Sequence, residues 1–410
     1  MPAEAALPRV GPSENPLWGD DWAEVRDLWP LEPTVAHLNH GSYGAVPTAV
    51  LEEQSSWRQR MESNPVRFFN RELPGLLADA RDEVAAFLGA DPRGTAFVRN
   101  ATTAVSTVLA SFPLEPGQTV LLTDHAYGAV RIAAERFAGR AGARVEVVHL
   151  PLDEDHADHA RRVLDATGPD TALVVLEQVT SPTARRLPLV ELVPALQDRG
   201  AAVLVDGAHA PGMLAVEVDR LGADFWVGNL HKWCLTPRGT ALLNAAPRWR
   251  ATLLPLVASW GEPAGFPDAF ADIGTDDMTA WLSAPRALRV LDHLGLDRLR
   301  QHNAELAVAG QRIVAEALRL DPAVLPRDPA VSMQLVPLPD GLVGDTAEAD
   351  ALRNRIGDEV GVEVGVTAWA GHGFLRLSAH AYNAPDDYRR LATDLPALLG
   401  ADRRPGAGRR

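Results

Sequence analysis

The sequence predicts an α/β protein: a mostly parallel sheet covered by helices, followed by a smaller α+β domain. Three observations carry this reading. Short apolar runs rich in β-formers recur between about residues 95 and 228, separated by stretches with helical spacing. The runs are apolar on both faces, as strands buried beneath helices are. Beyond Pro247 the alternation stops, and helices dominate around three further strand-like runs.

In chain order, residues 1–20 are rich in Pro and Gly and are expected to be loose. TAVLEEQSSWRQRM (48–61) has helical spacing, with Thr48 as its N-cap after Pro47. LPGLLADARDEVAAFLGA (73–90) is an amphipathic helix closing on Gly89. The strand TAFVR (95–99) leads to a helix from about Thr102, TVLLT (119–123) to a helix from about Tyr127, and then comes RVEVVHL (144–150). TALVVLEQV (171–179), the helix LVELVPALQDRG (189–200), AAVLVD (201–206) and DFWVG (224–228) complete the series. Helices near 278–297 and 300–320 follow. VSMQLVPLP (331–339), a helix near 347–358, VEVGV (362–366), FLRLS (374–378) and a closing helix near 385–399 end the pattern. ADRRPGAGRR (401–410) is expected to fray. The expected division is a large domain over 21–275, whose segment 21–45 packs near the small domain, and a small domain over 276–400.

The 410 residues carry 39 Lys+Arg against 54 Asp+Glu, a net charge of −15. That acid excess argues against a nucleic-acid partner, which needs a basic face. Hydrophobic residues at 46% and charged residues at 23% exclude a disordered or fibrous chain. The single cysteine, Cys234, excludes an internal disulfide and a cysteine-cage metal site, and fits a reducing compartment. No basic-then-apolar leader opens the chain and no apolar run is long enough to span a bilayer, so a cytoplasmic protein without a membrane partner is expected. DEDHADHARR (153–162) reads as an exposed acidic helix start rather than a metal site at His156 and His159. No metal is expected.

Two segments carry chemistry. In VLVDGAHA (203–210), Asp206 ends a buried strand, where open α/β sheets bind ligands. It reads either as a turn aspartate or as a carboxylate buried to hold a protonated ring nitrogen. In DFWVGNLHKW (224–233), Lys232 follows the next strand between His231 and Trp233. It reads either as a surface lysine or as a desolvated amine able to form a Schiff base. Together they supply what pyridoxal 5'-phosphate (PLP) requires, an acid for the pyridine nitrogen and an imine donor. Thr102 and Thr103 stand where a strand passes into a helix, as caps, as phosphate donors or as both. Arg376 in FLRLS has the planar fork that matches a carboxylate, the plain alternative being an exposed ion pair.

DGAHAPG followed by Asn229-Leu230-His231-Lys232-Trp233 resembles the class V aminotransferase family of fold-type I PLP-dependent enzymes, within it the isopenicillin N epimerase-like branch. LNHGSYGAVP (38–47), RNATTAVS (99–106), DHAYGAV (124–130), VTSPTARRLP (179–188), GTDD (274–277) and RLSAHAYN (376–383) stand in the family's order, so the resemblance covers about residues 30 to 400. It implies a seven-stranded sheet in a large PLP-binding domain. Lys232 would hold PLP as an imine and move protons at the substrate Cα, and Asp206 would keep the ring nitrogen protonated. Ala208 and His209 would lie against the ring near O3′, and Ser181, with Gln178, would reach O3′. Tyr127 or His125 would stack on the ring, Tyr127 being preferred. Asn229 and His231 would join Thr102 and Thr103 around the phosphate, with Thr275 supplied by the second subunit of a homodimer. Arg376 would hold the substrate carboxylate, with Asn39, Gly41 and Ser42 as the opposite wall and Arg67 as an anchor for a distal acid.

The resemblance leaves several reactions open. No cysteine occurs in VTAWAGHGFLR (366–376), where the family's desulfurases carry theirs, so no persulfide-forming desulfurase is expected. C–S lyase and epimerase chemistry on an S-cysteinyl or peptide-like natural-product intermediate stand level. Decarboxylating deamination and transamination follow. A degenerate PLP fold that binds without turnover is the non-enzyme alternative, against which Asp206, Lys232 and Arg376 argue.

Overall fold

The computed structural model describes residues 25–402. The tails expected to be loose at 1–20 and 401–410 lie outside these residues, except that the closing helix runs to Asp402. The described chain divides into a large unit, 46–181 with 186–293, and a small unit, 25–45 with 182–185 and 294–402.

The strands are β1 (Ala36–Leu38), β2 (Thr95–Val98), β3 (Thr119–Thr123), β4 (Arg144–Val148), β5 (Thr171–Glu177), β6 (Ala202–Asp206), β7 (Phe225–Asn229), β8 (Ala241–Ala245), β9 (Met333–Pro337), β10 (Val362–Trp369) and β11 (His372–Ser378). The large unit holds a seven-stranded sheet in the order β2-β8-β7-β6-β5-β3-β4. Its pairs are parallel except the two made by β8. That strand was not anticipated. It follows β7 after a turn too short for a crossover helix, so it has to return antiparallel. Val105, Val108, Val120, Leu122, Val175, Leu204 and Val227 belong to one continuous core between sheet and helices.

Three expectations change in detail. Thr48 is the first residue of helix Thr48–Ser63, and the N-cap is Pro47, which offers no side-chain bond. His159 is buried on helix His156–Ala166, with a ring nitrogen bonded to the Pro151 carbonyl at 2.8 Å, so that helix start is not uniformly exposed. The division falls at residues 293–294 rather than 275–276. Trp281 holds the intervening helix on the large unit: its ring stacks on Phe97 at 5.4 Å and its Nε1–H donates to the Gly239 carbonyl at 2.8 Å.

The small unit holds a four-stranded sheet in the order β1-β10-β11-β9, with β1 parallel to β10 and the other pairs antiparallel. Helices Leu296–Ala317, Thr346–Val360 and Pro385–Asp402 complete it, and Leu306, Val314, Ile356, Leu375, Leu377 and Leu391 lie in its core. Among the described residues no helix is long and apolar enough to cross a membrane, and no group of His, Cys, Asp and Glu is placed to hold a metal.

Candidate active site

On the large unit, Asp206 closes β6 and is buried. Its Oδ1 accepts the Ala208 N–H at 2.9 Å, so it forms the turn and is a buried carboxylate at once. Burial raises its pKa, against the pull of the Ala208 N–H and of Lys232. The next residue has to be glycine: a Cβ on Gly207 would lie 2.7 Å from the Trp226 indole. Lys232 lies in the turn between β7 and β8, with Nζ 3.0 Å from His209 Nε2. Trp233 Nε1–H points at His209 Nδ1 at 3.4 Å. His209 is thus in hydrogen-bond contact with both neighbours of this turn, and its Nε2 orients the Lys232 amine. The ring of His209 was expected near O3′; its contact with the Lys232 amine is the one the geometry assigns.

The expected phosphate cup is partly self-satisfied. Asn100, which the sequence reading passed over, is the N-cap of helix Ala101–Ser111, and its Oδ1 accepts both the Thr103 N–H (2.8 Å) and the Thr103 hydroxyl (3.0 Å). Asn229 Oδ1 accepts the Ala101 N–H at 2.8 Å. Two of the helix's first amides are therefore engaged, and Thr102 is the exposed residue at that end. A His231 ring nitrogen, Nδ1, donates to the Thr240 carbonyl at 3.1 Å. Burial and the neighbouring Lys232 lower its pKa to about 4, so at neutral pH it brings no positive charge to the cup. An Asn three residues before a Thr at a strand-to-helix junction is itself a capping signal.

The remaining large-unit candidates separate clearly. His125 is buried with Nε2–H bonded to the Leu150 carbonyl at 2.7 Å, and burial lowers its pKa. Tyr127, the residue capping helix Gly128–Ala141, has its ring half exposed. Of the two aromatic candidates, Tyr127 is thus the one with a ring available for stacking. Gln178 Oε1 accepts from Trp226 Nε1–H at 3.0 Å, which engages that oxygen within the sheet end. Ser181 is half-buried and Thr275 exposed. Arg67 pairs with Glu72 at 2.9 Å on the surface, which makes it a local ion pair rather than a prepared substrate anchor.

Glu177 escaped the sequence reading. It closes β5 in register with Asp206 on β6 and is buried. Thr123 Oγ1–H donates to its Oε2 at 2.7 Å, while Oε1 has no partner. Burial above all, with smaller contributions from Asp206 and Asp124 and against the Thr123 hydrogen bond, raises its pKa to about 8. The signal was present: a carboxylate ends an apolar run here as it does at Asp206.

On the small unit, Arg376 lies on β11 opposite Gly365 and is buried. A Cβ at 365 would lie 2.9 Å from the Arg376 carbonyl and 3.3 Å from its Nε. Arg376 Nη2 donates to Ser42 Oγ at 2.8 Å and reaches Asn39 Oδ1 at 3.5 Å, and Ser42 Oγ–H donates to Asn39 Oδ1 at 2.7 Å. Asn39 and Ser42 therefore hold the arginine itself instead of forming a wall opposite it. The Gly41 N–H donates to Ser378 Oγ at 3.2 Å. Next in the same turn, buried His40 accepts from the Tyr382 hydroxyl at 2.8 Å and stacks on His380 with centroids 4.2 Å apart. Burial and the nearby His302 and His37 lower the His380 pKa to about 3.

These donor sets fit PLP. A buried acid suits a protonated ring nitrogen, a lysine amine suits an aldehyde, and an exposed helix N-terminus suits a phosphate ester. Residues 44–391 match the family described as aminotransferase class-V. The chain is 35% identical over 400 residues to the isopenicillin N epimerase of Streptomyces clavuligerus, covering 93% of this chain and 99% of that protein. It is 30% identical over 408 residues to the putative L-cysteine desulfhydrase 1 of Oryza sativa subsp. japonica, covering 90% and 84%. Among solved structures, a C-DES variant with glycine covalently linked to its PLP cofactor superposes with a TM-score of 0.79 at 20% identity, over 90% of this chain and 98% of that one. At that identity the likeness shows the fold, α/β of fold-type I.

Proposed function

The chain belongs to the class-V aminotransferase family and its cofactor is pyridoxal 5'-phosphate; from that premise we propose that it removes the Cα proton of an amino-acid substrate and then epimerises it or expels a sulfur leaving group. When bound, PLP supplies an electron sink for the pair left on Cα. Asp206 holds the proton on the ring nitrogen, and Thr102 at its helix N-terminus meets the phosphate. Lys232 is the base at Cα, and its contact with His209 Nε2 orients the amine. Tyr127 is the stacking ring, and Arg376, braced by Ser42 and Asn39, holds the substrate carboxylate bidentately. Thr275 completes the phosphate site from the second subunit of a homodimer.

The contact that carries this reading is Lys232 Nζ at 3.0 Å from a His209 nitrogen whose partner nitrogen faces Trp233. Epimerisation is supported by near full-length similarity to isopenicillin N epimerases at 34–35% identity. C–S elimination is supported by the 30% identical desulfhydrase relative. Buried Cys234, with no cysteine in 366–376, supports a chain that forms no persulfide of its own. The substrate class is an S-cysteinyl or peptide-like amino acid.

Borohydride reduction followed by peptide mass spectrometry should place a pyridoxyl group on Lys232, and Lys232→Ala should be colourless and inactive. Lys232 is the only lysine in the sequence, so the absence of a pyridoxyl adduct on it overturns the assignment. Solvent deuterium at Cα with loss of optical rotation identifies epimerisation, whereas pyruvate with ammonia identifies elimination.

A further inference from the structure

Glu177 is a buried acid that the proposed chemistry does not use. It and Asp206 are registered neighbours on parallel strands, so both side chains leave the same face of the sheet, and both are buried. Two carboxylates in one desolvated place do not both ionise; one keeps a proton. The partners decide which. Asp206 accepts a backbone N–H and feels Lys232. Glu177 has the Thr123 hydroxyl at Oε2, a smaller pull from its own backbone N–H, no partner at Oε1 and no cation acting on it.

The groups that face Glu177 add no cation. On β3 and the turn after it these are Thr123, Asp124 and His125; Thr123 Oγ1 also accepts the His125 N–H at 3.2 Å, and burial holds His125 neutral. On β6 the neighbour is Asp206, and the charges acting on Glu177 are those of Asp206 and Asp124, both acidic. Beyond Asp206, Lys232 and His209 bond to each other.

We propose that Glu177 is a positioning residue that keeps its proton and so leaves the negative charge of this two-carboxyl site on Asp206 alone. The inference rests on the reading of Asp206 as the partner of the ring nitrogen. One negative charge then meets one ring proton. Ionisation of Glu177, which its surroundings postpone to about pH 8, adds a second charge beside that proton and tightens its hold.

The test is pH-difference infrared spectroscopy of the full, cofactor-loaded chain between about pH 7 and about pH 9.5, where exposed carboxyls are already ionised. The expected result is loss of one protonated-carboxyl band with a midpoint near 8, absent from Glu177→Gln, which keeps both shape and neutrality. In Asp206→Asn the midpoint should fall by about one pH unit, the size of a nearby like charge. No band in the native chain, or a band that persists in Glu177→Gln, overturns the proposal. An unchanged midpoint in Asp206→Asn overturns the pairing. If Asp206→Asn does not fold, the comparison with Glu177→Gln decides alone. A Lys232 adduct without the infrared band sinks only the role of Glu177; a missing adduct sinks the wider reading whatever the band shows.

Discussion

His380 and Glu177 set opposite limits on the pH range of the folded chain. His380 has its pKa depressed by burial to about 3, below the ordinary histidine value of 6.5. Its contribution to stability is present above about pH 6.5 and is lost as pH falls towards 3, by up to about 1.4 kcal/mol per pH unit. His380→Phe, which keeps a ring against His40, should therefore lose less stability than the native chain between about pH 7 and pH 5, measured by urea unfolding. Glu177 has the opposite sign. Its raised pKa means stability that is full below about 4.5 and lost as pH rises through about 8. Glu177→Gln should flatten the same profile between about pH 4.5 and about pH 8, the window in which that stability is lost. Gly365 acts through space: its absent Cβ leaves room for the Arg376 backbone and side chain. Gly365→Ala should raise KM for the amino-acid substrate by about tenfold, the order expected when a bidentate carboxylate contact is disturbed, while borohydride still labels Lys232. An unchanged KM would remove Arg376 from the proposed carboxylate site.

Helix Ala101–Ser111 is capped twice, by Asn100 from the segment before it and by Asn229 from the end of β7. Asn100→Ala should cost about 1 kcal/mol in urea unfolding and, on the proposed placement of the phosphate at this helix end, weaken PLP binding, because the first-turn amides lose their alignment. A cofactor affinity equal to native would mean that this helix end has no part in phosphate binding. The same elements show what the sequence could tell. The parallel strands were legible because each is a run of apolar residues bounded by turn formers. β1 has three residues and takes its place only by pairing with β10, so no local pattern announces it. Asp206 and Lys232 were legible as polar residues interrupting apolar strand ends. Glu177 obeys the same rule, but Gln178 and Val179 prolong the run, so the strand read on two residues past its true end. The brace on Arg376 was illegible in its contacts: Asn39 and Ser42 are more than three hundred residues away in the chain. Their family motif pointed to the substrate site, not to the arginine they touch.

The large unit leaves Leu254, Leu256, Val257 and Trp260 exposed within one short segment, with Trp260 94% accessible. We propose this cluster as the place where the expected homodimer would bury apolar surface. The expected homodimer should therefore appear in sedimentation, and Trp260→Ser should move it towards monomer; a native chain that sediments as a monomer contradicts the shared phosphate site. The topology has a further consequence for how the protein is made. β2 finds its partner only when β8 has been synthesised, and β1 finds its own only when β10 has. A nascent chain leaving the ribosome thus carries open strand edges through most of translation. Chains stalled before residue 241 should collect chaperones and aggregate, while release after the last strand lets both sheets close.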